Sequence, residues 1–156
     1  MSDEQPPPRQ CYACGSANER GLHMAFRLEG ERTICEYTPC AYQQGYPGRM
    51  HGGVVSTLID ESMGWAVYHA REWGATARLN IRYRHPVDLD QTLRIEAWIV
   101  KNRGRLVELR AEVLGEDGRL LAEGDGVFMK LDGRMAGEMS DLARKNGRDD
   151  APEAVT

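Results

Sequence analysis

The sequence predicts an α+β domain in which an antiparallel sheet of about six strands is wrapped around one long central helix. One segment near the middle of the chain has apolar residues at helical spacing. Segments of alternating apolar and polar residues, typical of half-buried strands, lie on both sides of it. An apolar helix and a sheet with one apolar face can cover each other, so the two observations together predict this arrangement.

The central helix is predicted from a change of period after the loop at 42–50, which contains Pro47 and Gly48. Its apolar positions extend around most of the circumference, which is typical of a helix enclosed by other elements. These positions are Val54, Val55, Leu58, Ile59, Met63, Ala66 and Val67.

The strands are predicted from alternation. Residues 22–28 and 33–37 flank Gly30 and predict a hairpin before the helix. After the helix, residues 75–83 have one apolar and one cationic face. Three further alternating segments follow, at 93–100, 106–114 and 120–130, and their short separators predict a meander of four strands.

Length and composition indicate a single globular domain. The chain has 156 residues, 41% of them hydrophobic, and a formal net charge of −4. We expect a flexible lead at 1–10, the folded domain at 11–133 and a charged, largely disordered tail at 134–156, with a brief helix at 139–145. The acidic charge disfavours nucleic-acid binding, and without a signal peptide or an apolar span we expect a cytoplasmic protein that does not enter a membrane.

Two carboxylates, Asp60 and Glu61, fall within the apolar helix, where charged groups are rare. A narrow polar stripe facing solvent is one explanation, and it suits Glu61 better than Asp60. The other explanation is a desolvated carboxylate kept as a base or nucleophile, which we favour for Asp60.

The sequence His51-Gly52-Gly53 precedes this helix. Small residues at a helix start let a ligand approach backbone N–H groups, which stabilise an oxygen that becomes negative during a reaction. Each feature also has a structural explanation: the glycines can form a tight helix entry, and His51 can be a loop residue bound to the backbone.

Three motifs together resemble a known family. The sequence from 44 to 64, with His51-Gly52-Gly53 followed by Asp60, resembles the signature of the hotdog-fold thioesterase superfamily, in the branch of the phenylacetate-pathway thioesterase. The segments 11–15 and 76–87 are similar to further parts of such proteins. The resemblance implies a hotdog fold, hydrolysis of an acyl-CoA thioester without a cofactor, and a homodimer or a tetramer of two dimers with sites shared between subunits.

The resemblance also implies residue roles. Asp60, nine positions after His51, corresponds to the general base or nucleophile, and Gly53 to the backbone donor that polarises the thioester carbonyl. Thr76 corresponds to a hydroxyl that orients water or the carboxylate. His51 is expected mainly to shape the loop. Gln44 is the candidate side-chain amide in the loop before His51, although Gly45 stands where some family members have asparagine. Gly52 and Glu61 are expected beside the substrate.

Coenzyme A has phosphate groups, so we expect local positive charge in its binding site. Basic residues concentrate at 78–85 and 103–105, and Arg82, Arg84 and Arg103 are the candidate ligands. The alternative is a solvated sheet face whose arginines are balanced by nearby glutamates.

The chain contains four cysteines: Cys11, Cys14, Cys35 and Cys40. Four thiols can in principle form a zinc site, but the spacing of the second pair is poor. A redox motif is disfavoured because a polar lead, not a strand, precedes Cys11. We therefore expect packing and turn-forming roles, and no metal.

Two other functions remain open besides hydrolysis. Hydration or dehydration of an enoyl-CoA would use His51 and Asp60, and a non-catalytic module would bind acyl-CoA without converting it. The acyl group, aromatic or aliphatic, is not determined by the sequence, because the pocket depends on side chains from two subunits.

Overall fold

The computed structural model describes residues 10–145, 147 and 152, and it confirms the predicted α+β class. The elements in chain order are β1 (Arg27–Glu29), β2 (Arg32–Tyr37), α1 (Gly52–His69), β3 (Gly74–Tyr83), β4 (Leu93–Arg103), β5 (Leu106–Leu114), β6 (Leu120–Lys130) and α2 (Gly133–Lys145). The strands form one six-stranded antiparallel sheet in the order β1-β2-β4-β5-β6-β3.

Helix α1 packs along one face of this sheet, as its apolar pattern predicts. Leu58, Ile59 and Met63 are fully buried. The close approach requires glycines in β6, because a Cβ at Gly124 would lie 2.8 Å from the Ile59 side chain and one at Gly126 would overlap the Met63 sulfur. Helix and sheet therefore share one core.

The predicted meander is wrong at one connection. Strand β3 pairs with β6 and not with β4, so this ten-residue strand lies at an edge of the sheet. The segment 84–92 is too long for a hairpin turn and passes beneath the loop before α1, where the Met50 N–H donates to the Val87 carbonyl at 2.8 Å. Strand β3 is thus left with one unpaired side along the described chain.

A β-bulge interrupts β3. Thr76 pairs with Phe128 and Arg78 with Val127, so Ala77 is the extra residue. Strict alternation places Thr76 on the cationic face with Arg78. The bulge reverses this, and Thr76 lies on the same face as the buried Phe128, towards α1.

The hairpin before α1 is shorter than its pattern predicts. Strand β1 contains three residues, while Leu22 and Met24 donate their N–H groups to the carbonyls of Tyr12 and Ala13 at 2.8 and 2.9 Å. The turn that contains Cys11 is therefore attached to the core by this segment.

Helix α2 continues the packed chain beyond residue 133, within the segment expected to be largely disordered. Ala136, Ser140 and Ala143 are buried, and Trp73 Nε1 donates to Ser140 Oγ at 2.8 Å. The expected helix at 139–145 lies inside α2. Residues 1–9, 146, 148–151 and 153–156 of the predicted lead and tail lie outside the described residues. No helix in the described part of the chain is long and apolar enough to cross a membrane.

Candidate active site

The start of α1 is capped by His51. Its Nδ1 accepts a hydrogen bond from the Gly53 N–H at 2.9 Å, and its carbonyl accepts from Val54 and Val55. A side chain that accepts from the second residue of a helix satisfies one of the N–H groups that the first turn leaves unpaired. His51 therefore has a structural role at the helix start.

Because His51 caps the helix, the backbone N–H that remains free to bind a ligand at the helix start is that of Gly52 and not that of Gly53. The Gly53 N–H, expected to polarise the thioester carbonyl, is already bound to the His51 ring. Gly52 is the first residue of α1, and its N–H has no hydrogen bond among the residues described. The exposed Gly52 amide is the donor available to an incoming oxygen.

Two hydroxyl groups that sequence reasoning missed surround the Gly52 carbonyl. Tyr83 Oη and Ser56 Oγ each donate to this carbonyl, at 3.0 and 3.1 Å, and lie 2.5 Å from each other. Tyr83 is at the end of β3 and is 54% exposed. Alternation predicts that Tyr83 shares the face of Ile81, but no local pattern indicates that its hydroxyl reaches the helix start.

Asp60 and Thr76 meet farther along the same helix. Thr76 Oγ1 donates to Asp60 Oδ1 at 2.7 Å. The bulge at Ala77 makes this contact possible by turning Thr76 towards α1. Asp60 is partly exposed, and its second carboxylate oxygen has no hydrogen bond among the described residues.

Asp60 and Gly52 of one chain are too far apart to act on the same carbonyl group. They are separated by eight residues of continuous helix, which corresponds to about 12 Å along its axis. Reacting groups must approach within roughly 3–3.5 Å. The two candidate groups therefore lie at separate places within the described chain.

Gln44 does not lie with Asp60. Its Oε1 accepts from the Gly48 N–H at 3.3 Å, which closes the loop before α1. The neighbouring Gln43 donates from Nε2 to Tyr37 Oη at 2.5 Å, and its carbonyl accepts from the His51 N–H at 2.8 Å. Both glutamines support the loop that positions His51.

The three candidate arginines do not form one cluster. Arg82 and Arg84 are exposed near the end of β3, where Arg84 forms an ion pair with Glu123. Arg103 ends β4 opposite Leu106, and this strand end lies on the side of the sheet where β3 begins. Within one chain, Arg103 is thus at the opposite end of the sheet from the other two.

Glu61 lies in a different environment from Asp60. Its Oε1 accepts from Trp65 Nε1 at 3.2 Å and lies 3.7 Å from the Cys11 sulfur. Burial raises the pKa of Glu61 to about 6. The expected solvent-facing position is therefore wrong for Glu61.

The two cysteines of the N-terminal turn lie beside Glu61. A hydrogen bond from the Cys14 thiol lowers the pKa of Cys11 to about 5, and the same bond raises the pKa of Cys14. Cys35 is buried in β2 and Cys40 is exposed. A site formed by all four cysteines is therefore excluded by their positions.

A cavity of about 370 Å³ adjoins this cluster, between α1 and α2. Its wall is mainly aromatic and apolar, with Trp65, Tyr68 and Trp73 on one side and Met139, Leu142 and Ala143 on the other. Cys11, Cys14, Glu61 and Glu72 also line it.

Comparison with known proteins relates these features to a family. Residues 47–122 match the model of the thioesterase superfamily. The acyl-coenzyme A thioesterase THEM4 of Bos taurus is 37% identical over 135 residues, which cover 85% of this chain and 56% of that protein. The chain spans about half the length of the curated relatives that it matches.

Solved structures agree with the fold. A thioesterase superfamily protein matches with a TM-score of 0.74 and 26% identity, over 78% of this chain and 60% of that chain. A hypothetical thioesterase from Streptococcus pneumoniae, solved with coenzyme A, matches with a TM-score of 0.65 and 19% identity, over 69% of this chain and 87% of that chain. The predicted hotdog arrangement is confirmed by these likenesses.

Proposed function

We propose that the chain is a member of the thioesterase superfamily and hydrolyses an acyl-CoA thioester to the free acid and coenzyme A. The observation that carries the proposal is the Asp60 carboxylate, nine residues after His51 and held by Thr76 at 2.7 Å. The names of the relatives support acyl-CoA as the substrate class, and hydrolysis needs no cofactor.

In the proposed reaction, the thioester carbonyl oxygen binds at the start of α1. The Gly52 N–H donates to this oxygen as negative charge develops, and the helix dipole adds to the stabilisation. Asp60 either removes a proton from the attacking water or attacks the carbonyl carbon itself. When Asp60 acts as the base, the C–S bond breaks to give the free acid, and the departing coenzyme A thiolate or solvent takes up the proton that Asp60 removed. When Asp60 attacks directly, coenzyme A leaves as the thiolate, and a water molecule then hydrolyses the acyl–Asp60 anhydride to the free acid and the regenerated carboxylate.

The proposed active site is formed by two copies of the chain. Strand β3 is a long edge strand, and edge strands readily pair with another chain. In a twofold antiparallel pairing of β3 with β3, the Tyr83 end of one protomer lies beside the Thr76 end of its partner. The Gly52 amide of one chain then approaches Asp60 of the other, which removes the separation of about 12 Å within one chain.

The same pairing supports a shared coenzyme A site. It would bring the β3 end with Arg82 and Arg84 of one protomer towards the β3 start of its partner, the side on which Arg103 lies. Paired arginines suit pyrophosphate and ribose phosphate groups. The four free thiols are consistent with a reducing compartment, and we propose the cytoplasm.

Thiol release from a panel of aryl-, short- and long-chain acyl-CoAs tests the proposed reaction. We expect release with at least one substrate and its loss in Asp60→Asn. Equal release by both proteins would contradict the role of Asp60. Hydration of crotonyl-CoA without thiol release would indicate a hydratase, and binding without turnover of any substrate would indicate a binding module.

The helix-start donor can be tested with a matched pair of variants. Gly52→Pro removes the N–H at the first helical position, where proline is tolerated, and the extended ψ of 135° at His51 suits a following proline. Gly52→Ala keeps the N–H, and its Cβ would lie 3.6 Å from the Tyr83 ring, an ordinary contact. We expect the proline variant to lose roughly 10²–10³-fold in kcat and the alanine variant to remain active.

Mixing inactive variants tests the shared site. Asp60→Asn and Gly52→Pro subunits, unfolded and refolded together, would form mixed dimers with one intact site of two. Random association would restore roughly a quarter of the native activity, since half the dimers are mixed. No recovery, with mixed dimers verified by mass spectrometry, would contradict a site built from Asp60 and Gly52 of different chains.

A further inference from the structure

The N-terminal turn and the middle of α1 bring three metal-binding side chains together. The sulfur atoms of Cys11 and Cys14 and a carboxylate oxygen of Glu61 all lie within 4.8 Å of one another. The two cysteines are separated by two residues, the usual spacing for a turn that binds zinc through both sulfurs. This cluster has no part in the proposed hydrolysis.

We propose that Cys11, Cys14 and Glu61 bind one zinc ion. Zinc binds thiolate sulfur at about 2.3 Å and carboxylate oxygen at about 2.0–2.2 Å in tetrahedral geometry, so neighbouring ligand atoms lie roughly 3.6–3.8 Å apart. The Cys11 sulfur lies 3.7 Å from Glu61 Oε1. Small side-chain rotations would bring the two sulfur atoms and the carboxylate oxygen to these distances around one ion.

The backbone of the turn is already arranged for this purpose. The Gly15 N–H donates to the Cys11 carbonyl at 2.9 Å, and the Cys14 N–H points to the Cys11 sulfur at 3.5 Å. Such N–H donation stabilises a thiolate ligand. The two hydrogen bonds from Leu22 and Met24, together with the buried Ala13 side chain, hold the turn against the core.

The carboxylate is fixed by the helix and by Trp65. Glu61 lies in the middle of α1, and the Trp65 indole donates to it at 3.2 Å while stacking on Phe26 with ring centroids 5.0 Å apart. A hydrogen bond of this kind orients a ligand and maintains its position when a metal binds. The site therefore lies on rigid elements.

Three protein ligands leave one zinc position open. Cys35 does not supply the fourth ligand, because its sulfur is directed to the Glu36 carbonyl, and Cys40 is exposed outside the cluster. The open position faces the cavity of about 370 Å³ beside Trp65, Tyr68 and Trp73. Zinc sites with three protein ligands bind water or an added ligand in the fourth position.

Metal binding by the full-length chain tests this proposal. Protein purified under reducing conditions is stripped with a chelator, then titrated with zinc in competition with a chromophoric chelator. Cobalt(II) is titrated in parallel, because thiolate ligation gives a charge-transfer absorption. We expect one equivalent of zinc per chain and a thiolate–cobalt band.

Four variants locate the site. Cys11→Ser, Cys14→Ser and Glu61→Gln should each weaken zinc binding by more than roughly 10-fold. Loss of a group that only orients a metal ligand already weakens binding by about that much, and loss of the ligand itself should cost more. Cys40→Ser is the matched control, since its thiol lies outside the cluster, and should bind zinc as the native chain does. Glu61→Gln keeps the size of the side chain, so it remains informative if a cysteine variant misfolds.

Several outcomes would overturn the proposal. They are an absence of zinc uptake by the reduced native chain, equal affinity in Cys11→Ser and Cys40→Ser, or formation of a Cys11–Cys14 disulfide whose reduction yields no metal binding. All readouts are metal content and absorption. Failure of the zinc site is therefore distinguishable from failure of the proposed hydrolysis.

Discussion

Asp60 and Glu61 are adjacent in α1, yet their side chains occupy different environments. Asp60 faces the sheet edge, where Thr76 donates to it from the bulged start of β3. Glu61 faces the N-terminal turn and the aromatic cavity, beside Cys11 and Trp65. One residue of helix rotation separates a position beside the unpaired edge of β3 from one beside the N-terminal turn.

This difference shows that the carboxylate with the raised pKa and the carboxylate proposed as the catalytic base are different residues. A desolvated carboxylate with a raised pKa is the feature that usually indicates a catalytic base. Here that feature belongs to Glu61, because burial raises its pKa to about 6. The spacing from His51 and the contact with Thr76 select Asp60 instead. A perturbed pKa therefore identifies the cysteine–glutamate cluster, while placement at the edge strand identifies the proposed catalytic base.

The largest expected effect separates the two carboxylates in catalysis. Asp60→Asn should lower kcat/KM for thioester hydrolysis by roughly 10²–10⁴-fold, since a positioned base contributes that much. Glu61→Gln should stay within about 10-fold of the native value, because its side chain points away from the sheet edge. Steady-state thiol release measures both.

A comparable loss in the two variants would remove the functional distinction between these carboxylates. Circular dichroism and the oligomeric state of each variant provide the control, because a loss through misfolding would change them together with activity.

The next effect concerns Thr76, which we consider a positioning residue. Thr76→Ala should reduce kcat by about 10- to 100-fold, because the freed carboxylate samples unproductive orientations. Thr76→Ser retains the hydroxyl and should restore most of the activity. A serine variant as slow as the alanine variant would show that the methyl group, and not the hydrogen bond to Asp60, is what matters.

The sequence predicted the elements better than their arrangement. The apolar period of α1 and the alternating strands are local patterns that directly reflect burial, and they gave the fold class correctly. The edge position of β3 was not predicted, because the alternation of apolar and polar residues indicates which face of a strand is buried but not which strands pair with it. Thr76 was selected through family resemblance, whereas its orientation depends on a bulge at Ala77 that alternation does not predict.

The Glu61 cluster was missed for a related reason. Cys11 and Glu61 are 50 residues apart, and no local pattern indicates that the turn packs on this side of α1. Helix α2 was expected to be largely disordered because its sequence is polar overall. Its few buried residues, including Ser140, whose hydroxyl accepts from Trp73, pack it against the domain, and Met139, Leu142 and Ala143 line the cavity.

A smaller effect is expected in stability. Burial raises the pKa of Glu61 from its ordinary value of 4.5 to about 6. The folded state binds this proton more tightly than the unfolded state does, so the contribution to stability is full below 4.5 and is lost as pH rises through 6. The change is at most about 2 kcal/mol.

Urea unfolding of the metal-free native chain and Glu61→Gln measures this contribution. The native chain should lose stability relative to the variant between about pH 4.5 and about pH 7.5. A difference between the two proteins that is independent of pH would contradict the raised pKa of Glu61.

The smallest effect concerns the Trp65 indole. Trp65→Phe keeps an aromatic ring against Phe26 but removes the N–H that donates to Glu61 at 3.2 Å. A hydrogen bond to an ionised group contributes about 1 kcal/mol more than one to a neutral group. The destabilisation should therefore be about 1 kcal/mol larger at about pH 7.5 than at about pH 4.5, where Glu61 is protonated.

In the Glu61→Gln background the destabilisation caused by Trp65→Phe should not change with pH, because the acceptor is then neutral throughout. A pH-dependent cost in that background would assign the effect to another titrating group and not to Glu61.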